Sequence, residues 1–430
     1  MNKAKSNFGK WGWGLVVYCF LVYFICAFGN GTTQIACGIW EEMYGWDQTQ
    51  VLALPTLGGY LSVLVVYIIS VLYSKSKLKL RSILIVDGIL YSVALGLWGV
   101  VSDFTIFAIL LVSMYSTYVL WMNFANNTLT SNWFPHKKGV VIGWTTIGLV
   151  IGSSFGSVIF SGMLNAWGLT KSYFIMGGFS LILSLVGYFA FSEYPEQRGC
   201  FPDNDTSMTT EQAQAELKAG QEAMANSVWT PKHMLSIKES WLIGLSSGIL
   251  ILFSSGAMSQ MIPRLLSDGY SMSEALVIMT IGGIFGAPGS YLCGIMDAKI
   301  GPKKAQIITL FVAAGGALLN IVPNRVCIYI SIAIIGAALG GAANYLVSLT
   351  TEYWGRYEFQ KAYGTLLTIN QIVGLSGAAL HAYMTKWTGI KGAYILLAVL
   401  CVVGVLMLLP VKDGFVQKYE KKFNEKKNEA

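Results

Sequence analysis

The chain has 430 residues, of which 54% are hydrophobic and only 12% are charged. Ordinary soluble proteins carry about 25% charged residues, so this composition excludes a chain folded around one aqueous core. The formal net charge is +7. A basic chain can bind nucleic acid, but here the basic residues are placed as membrane topology requires. We therefore expect no nucleic-acid partner.

Apolar stretches long enough to cross a bilayer recur along nearly the whole sequence. About 20 residues at helical rise span the hydrocarbon layer, and the pattern predicts an all-α membrane protein with twelve transmembrane helices. We number them spans 1 to 12 and predict them at residues 11–36, 50–73, 82–101, 104–130, 139–163, 172–193, 241–263, 272–296, 304–323, 327–350, 362–384 and 391–410.

These spans divide into two groups of six. Residues 1–193 are predicted to form an N-terminal six-helix bundle, and residues 241–410 a C-terminal one. The stretch between them, 194–240, is the one long polar stretch inside the chain, and it predicts a cytoplasmic linker. A basic tail, 411–430, follows span 12.

The basic residues predict the orientation of the chain. Short loops retain Lys and Arg on the cytoplasmic side of a membrane. With the N-terminus inside, the loops after spans 2, 4, 6, 8 and 10 and the tail hold most of these residues, whereas the first outer loop carries Glu41, Glu42 and Asp47. We therefore expect a multi-pass protein of the cytoplasmic membrane with both termini cytoplasmic, and the basic excess is a topology signal.

The two halves contain similar loops. NWFPHKKGVVIGW follows span 4 and EYWGRYEFQKAYGTLL follows span 10, and each has an aromatic pair, then a Lys, then a Gly that opens the next helix. A duplicated six-helix unit is typical of a rocking transporter whose site lies near the membrane midplane. The repeat predicts two pseudo-symmetric bundles.

At these loops the chain resembles the major facilitator superfamily. The superfamily's loop signature, G-x-x-x-D-x-x-G-x-K/R-K/R, is similar to CGIMDAKIGPKK after span 8, whereas the first-half loop SVLYSKSKLKLRS keeps only the basic character. The resemblance implies the major facilitator fold and gating roles for Asp297, Gly301, Lys303 and Lys304. Glu352, at the inner end of span 10, is predicted to make a gate contact with the neighbouring basic loop.

Within the superfamily, the loops after spans 4 and 10 look like those of the oxalate/formate antiporter and monocarboxylate transporter branch. That resemblance implies a small organic anion, a mono- or dicarboxylate, as the substrate of a secondary transporter that works by alternating access. No carboxylate falls near the centre of a predicted span, which favours exchange of one anion for another, or uniport, over proton coupling. Members of the oxalate type neutralise the substrate with basic residues in spans 8 and 11, but span 8 has none and span 11 has only His381. Arg264 and His381 are then the positive partners available to an anion, with an Arg264–Asp268 ion pair and a packing role for His381 as the alternatives.

Neutral polar and aromatic residues are predicted to build the rest of the cavity. Asn123, Asn126 and Asn127 are spaced i, i+3, i+4, which places three amides on one face of an ideal helix. Amides seldom face lipid, because an unsatisfied one costs several kcal/mol there; they bind a solute or a neighbouring helix. The predicted substrate-binding set is Asn30, Gln34, Tyr118, Asn123, Asn126, Asn127, Trp144, Ser254, Gln260, Arg264, Asn344, Tyr345, Asn370, Gln371 and His381. Because this set is poor in charge, a carrier or exporter of a neutral or amphipathic molecule is the alternative function.

Other classes of function are disfavoured. The sequence has no nucleophile triad, metal-ligand spacing or phosphate-binding loop, and two of its three histidines, His136 and His233, lie in predicted cytoplasmic segments. We therefore predict a protein that is not an enzyme and needs no cofactor or metal. No filter-like segment interrupts the spans, which disfavours a channel. We expect a monomer in the lipid bilayer whose partner is a small-molecule substrate.

Overall fold

The computed structural model describes residues 8–75 and 77–428, apart from the side chains of Gln34, Thr49 and residues 426–428. Within those residues the chain is helical and has no strand. A helix suits a segment inside hydrocarbon because it satisfies its own backbone N–H and C=O groups.

Twelve crossing helices can be traced in the described part of the chain. The bounds of spans 1 to 4 are Gly9–Tyr44, Gln48–Ser74, Leu80–Leu97 and Phe104–Trp133. Spans 5 and 6 lie in Lys138–Ala190, span 7 in Lys238–Ser259 and Met261–Ser267, span 8 in Met272–Ile300 and span 9 in Pro302–Asn320. Spans 10 and 11 lie in Arg325–Gly374, and Gly377–Leu408 holds the end of span 11 and span 12.

The loops that were predicted between spans 5 and 6, 10 and 11, and 11 and 12 are much shorter in the structure. Each chain reversal is made at one glycine, Gly168, Gly355 or Gly389, with φ of 74°, 69° and 72°. Glycine adopts a positive φ readily, whereas a residue with a Cβ does so only at a cost in free energy. The chain can therefore reverse at this one residue, and the helix before it continues up to the glycine. Polarity alone ends the helix before each glycine too early and begins the helix after it too late.

The exposed surface of the spans is apolar. Val158, Phe189 and Leu64 are each at least 60% exposed, which is unusual for large apolar side chains in a soluble protein. Among the residues that the structure describes, eight helical stretches are long and apolar enough to cross a membrane. One of them contains spans 5 and 6, another contains spans 10 to 12, and span 9 lies outside all eight. The chain is a multi-pass membrane protein.

The spans form two six-helix bundles that meet along spans 2 and 11 and along spans 5 and 8. Because the spans alternate in direction, residue 8, the loops after the even-numbered spans, the segment 191–237 and the C-terminal helix Phe415–Asn428 lie on one side, which we call the basic face. The segment 191–237 includes the helices Thr210–Asn226 and Pro231–Ser236. Trp229 from this segment packs its ring against Phe423, with centroids 5.8 Å apart.

Small residues allow the helices of the C-terminal bundle to approach closely. A Cβ added to Gly336 of span 10 would lie 1.8 Å from the carbonyl oxygen of Gly282 in span 8, and one added to Gly340 would lie 2.0 Å from that of Gly286. These backbone contacts are the closest kind of helix packing that membrane proteins use.

We therefore expect Gly336→Ala to lower stability by about 1–3 kcal/mol, because spans 8 and 10 must separate to admit the methyl group. The measurement is the melting temperature of the purified protein in detergent. Gly315→Ala in span 9 is the matched control, since a Cβ there meets no atom within 4 Å. Equal melting temperatures for the two variants would contradict the packing described.

Candidate functional site

A cavity of about 280 Å³ lies between the two bundles, near the middle of the spans that form it. Spans 4 and 5 contribute from the N-terminal bundle, and spans 7, 10 and 11 from the C-terminal bundle. Its lining residues are Tyr118, Met122, Asn123, Leu149, Ile251, Ser254, Ser255, Leu339, Ala342, Ala343, Leu346, Tyr363, Leu367, Asn370, Gln371, Gly374, Leu375 and Ala378.

Five residues of the predicted binding set line this cavity: Tyr118, Asn123, Ser254, Asn370 and Gln371. Asn370 is fully buried, and neither its amide nitrogen nor its amide oxygen has a hydrogen-bond partner among the described residues. A buried polar group without a partner costs about 1–3 kcal/mol. Asn370 is therefore prepared to donate to, and accept from, a bound molecule.

The lining described above contains amides, hydroxyls and apolar groups, and none of its residues is Asp, Glu, Lys, Arg or His. Such a surface can orient a small molecule through directional hydrogen bonds while apolar walls cover the rest of it. It offers no full charge to pair with an ionised ligand. A dianion that bound here would lose its hydration without gaining a charged partner, so much of the free-energy cost of its desolvation would not be offset.

Span 4 distributes its three asparagines differently from the single face that an ideal helix predicts. Residues Leu120–Ala125 form a π-helical turn, an irregularity found frequently at functional sites. Asn123, inside this turn, lines the cavity. Asn126 donates to the backbone oxygen of Cys19 in span 1, at 3.4 Å, and Asn127 lies on the interface between the bundles.

Asn127 joins the two bundles below the cavity, toward the basic face. Its Oδ1 accepts from the hydroxyl of Tyr23 at 3.0 Å, and its Nδ2 donates to the hydroxyl of Tyr363 at 2.8 Å. One helical turn further, the hydroxyls of Ser131 and Thr351 are 3.2 Å apart. Tyr363 thus lines the cavity and is also bonded to the opposite bundle.

Two ion pairs also join the bundles between these hydrogen bonds and the surface of the basic face. Lys138 of span 5 lies 3.0 Å from Glu352 of span 10, so Glu352 contacts the neighbouring basic segment; its role in gating stays a prediction. Arg356, at the start of span 11, forms a bidentate pair of 2.6 and 2.8 Å with Glu196, which follows span 6. Together with Asn127–Tyr363 and Ser131–Thr351, these pairs form what we call the basic-face closure.

The residues of the predicted gating signature lie at the same face. Asp297 is buried against Gly139 of span 5 and accepts a hydrogen bond from Ser348 of span 10. Gly301 makes the turn after span 8 with φ 83°. Lys303 donates to backbone oxygens of Leu409 and Val411, and Lys304 is exposed.

Arg264 lies within the C-terminal bundle and does not line the cavity. Its Nε donates to the Oδ1 of Asn320 at 3.0 Å, its Nη2 donates to the Asn320 backbone oxygen at 2.7 Å, and its Nη1 is 2.5 Å from Asp268. The guanidinium is buried and its donors are directed to these protein groups. The alternative that the sequence offered, an ion pair with Asp268, is present.

His381 also lies away from the cavity. It is buried with its ring edge-to-face on Tyr394, centroids 4.8 Å apart, and neither ring nitrogen has a partner among the described residues. Tyr345 is bonded to Thr309 of span 9 at 2.6 Å. Both side chains are packed inside the C-terminal bundle.

The remaining predicted residues take varied positions. Asn344 accepts from Thr146 of span 5 at 3.0 Å and so joins the bundles beside the cavity. Trp144 is 38% exposed, with its ring near Trp13 and Tyr291 on the outer surface of the bundle. Asn30 is beside Tyr118, and Gln260 lies at the interruption of span 7. The side chain of Gln34 lies outside the described residues.

Sequence reasoning missed several residues of this region. Tyr363 lines the cavity, and Glu196 and Arg356 belong to the closure. Tyr363 was part of the quoted segment EFQKAYG, so the motif marked the correct stretch without indicating which side chain faces inward. Glu196 and Arg356 are 160 positions apart, and no local pattern connects them.

The comparisons with known proteins agree with this architecture. The model of the Major Facilitator Superfamily matches residues 19–324 and 300–428. YhjX of Escherichia coli strain K12, described as an uncharacterized MFS-type transporter, is 25% identical over 240 residues, and the match spans only 54% of each chain. The curated relative is thus matched over about half its length.

Solved structures match over nearly the whole chain. The proton:xylose symporter XylE superposes with a TM-score of 0.70 at 14% identity, covering 92% of this chain and 94% of that one. The E. coli fucose:proton symporter FucP gives 0.68 at 14% identity, covering 93% and 98%, and the human organic anion transporter MFSD10 gives 0.65 at 11%, covering 92% and 98%. These likenesses concern the fold. With the family match over most of its length, the chain belongs to the major facilitator superfamily.

Proposed function

We propose that this chain is a secondary transporter of the cytoplasmic membrane that carries a small organic solute by alternating access, with the basic face cytoplasmic. The cavity between the bundles is the solute site. Because the basic-face closure lies between the cavity and that face, the conformation described is closed toward the cytoplasm. Rocking one bundle against the other must break this closure before a solute can leave on that side.

The solute that fits the cavity best is an uncharged polar or amphipathic molecule. The observation that carries this proposal is Asn370, a buried amide that has no hydrogen-bond partner among the residues described, in a lining that has no charged residue. An amide or hydroxyl on the solute can satisfy both atoms of Asn370, and the apolar walls accommodate a small hydrocarbon or aromatic body.

A small monocarboxylate is the second candidate. It is favoured by the loops after spans 4 and 10, which resemble the oxalate/formate and monocarboxylate branch, and by the N–H and O–H donors of the lining. Hydrogen bonds to an ionised acceptor are about twice as strong as neutral ones. Since the lining has no acid that could carry a proton, exchange of one solute for another, or uniport, is the proposed mode for either candidate.

Proteoliposome flux measured with matched pairs tests the solute class: lactamide against lactate, and benzamide against benzoate. We expect saturable flux of the uncharged member of at least one pair. Preference for the acid member assigns the second candidate, and no saturable flux of any of the four contradicts the solute site as proposed.

Asn370→Ala connects the flux to the cavity. We expect the variant to raise the KM for the transported solute about tenfold or more, because two hydrogen bonds are lost at a buried site. Thr368→Ala is the matched control, because Thr368 lies on the same span, donates its hydroxyl to the Gly364 backbone oxygen and does not line the cavity. An unchanged KM in Asn370→Ala would place the solute elsewhere.

A further inference from the structure

A second pocket, of about 610 Å³, opens on the basic face of the N-terminal bundle. It lies between the loop that joins spans 2 and 3 and the chain that leaves span 6. Its lining residues, which define what we call the basic pocket, are Lys79, Arg81, Ser192, Glu193, Gln197 and Arg198.

Three cations converge here without a carboxylate partner. Of the five ion pairs closer than 4 Å in the described part of the chain, none includes Lys79, Arg81 or Arg198. The one acidic residue of the lining, Glu193, accepts from the hydroxyl of Tyr73 and from Gln360, so its Oε1 is directed toward spans 2 and 11. The lining thus has three cations and one carboxylate, and this net positive charge is available to a ligand.

Aromatic contacts hold the two guanidinium groups in place. Arg81 lies over the ring of Tyr188 at 5.8 Å, and Arg198 lies over the ring of Trp11 at 5.3 Å. Arg198 also donates from Nη2 to the Phe189 backbone oxygen, whereas its buried Nε meets no acceptor in the described part of the chain. Planar guanidinium groups with free donors recognise phosphate oxygens well.

The pocket lies at the height where lipid headgroups are found. Lys79 immediately precedes span 3, and Trp11, in the first turn of span 1, is 44% exposed, as interfacial tryptophans are. On the hydrocarbon side, Val86 of span 3 and Phe189 of span 6 are more than half exposed and offer apolar surface for acyl chains. Basic pockets between helices on the cytoplasmic side bind anionic headgroups.

We propose that the basic pocket binds the phosphate group of an anionic phospholipid from the leaflet at the basic face. A soluble phosphate ester has the same recognition chemistry, but the exposed apolar surface of spans 3 and 6 favours a lipid. The inference uses the proposed sidedness and does not depend on which solute is transported.

The test is a native mass spectrometry titration of the purified full chain with phosphatidylglycerol, phosphatidylcholine or glycerol phosphate. We expect tighter binding of phosphatidylglycerol than of phosphatidylcholine, and about tenfold or more weaker phosphatidylglycerol binding in Arg81→Gln/Arg198→Gln, since each basic residue near the surface contributes measurably. Lys79→Gln, an exposed single change, should weaken binding several-fold without altering any helix contact. The control is Lys299→Gln/Lys304→Gln, which removes two exposed cations from the same face of the other bundle.

If phosphatidylglycerol binding weakened equally in the pocket variants and in the control pair, the proposed lipid site would be wrong. Equal binding of phosphatidylglycerol and phosphatidylcholine to the wild type would also overturn it. Glycerol phosphate that competes as well as the lipid would assign the pocket to a soluble ester and overturn the lipid proposal. Because this experiment measures lipid binding and the flux assay measures solute transport, either proposal can fail while the other holds.

Discussion

Arg264→Gln is expected to lower the stability of the protein by about 3–5 kcal/mol, the cost of removing one partner of a buried ion pair. The guanidinium bonds Asn320 twice and Asp268 once, and its side chain is only 5% exposed. The variant leaves the Asn320 acceptors and a partly buried carboxylate without their donor. The measurement is the melting temperature, together with the fraction of monodisperse protein after extraction.

Asp268→Asn is the matched control for this prediction. Its carboxylate is 29% exposed, and Asn320 still holds the guanidinium when the charge is removed, so we expect a loss of about 1 kcal/mol or less. If the Arg264→Gln protein had the melting temperature of the wild type yet failed to transport, the structural role would be contradicted. Arg264 would then have to contact the solute.

Arg356→Ala is expected to shift the protein away from the conformation that is closed at the basic face. Glu196 and Arg356 are 1% and 9% exposed, and they connect the end of the N-terminal bundle to span 11. Leaving Glu196 buried and unpaired costs about 3–5 kcal/mol, a cost that is relieved when the closure opens to water. Because about 1.4 kcal/mol changes a population ratio tenfold, the closed form should lose at least about a hundredfold relative to the open form.

The measurement is the reaction rate of a cysteine at Ser131, a fully buried member of the closure, with a membrane-impermeant thiol reagent applied from the basic face. The half-buried Cys200 and Cys327 are first replaced by serine. The rate should rise in Arg356→Ala and fall again in the charge-reversed pair Glu196→Arg/Arg356→Glu. His136→Ala, which removes a contact with Asp203 of the segment 191–237, should leave the rate unchanged; equal acceleration in that control would contradict the closure.

The general architecture could be predicted from the sequence because the relevant signal is local. Hydropathy over about 20 residues determines whether a segment enters the bilayer, and twelve such segments in two groups of six predicted the fold. The Arg264–Asp268 pair was also within reach, since residues four apart on a helix are neighbours. The composition of a segment does not show the φ of any one residue. The chain reversals at Gly168, Gly355 and Gly389 could therefore not be predicted from it.

The site was harder to predict because it depends on which side of each helix faces its neighbours. In span 4, Asn123 lines the cavity, whereas Asn126 bonds to Cys19 of span 1 and Asn127 is already bonded to Tyr23 and Tyr363. An ideal helical spacing places these amides together. His381 and Arg264 were singled out for their charge, but the bundle interior contains them for reasons of packing and pairing that only the neighbouring spans determine.

The central claim is that two bundles pivot about an uncharged cavity. The most direct measurement is double electron–electron resonance on spin labels in a cysteine-free background, with one pair at Lys75 and Lys304 on the basic face and another at the exposed Met43 and Met272 on the opposite face. Going from the wild type to Arg356→Ala, the first distance should lengthen while the second shortens. Distances that stay fixed, or that lengthen on both faces together, would contradict the pivot.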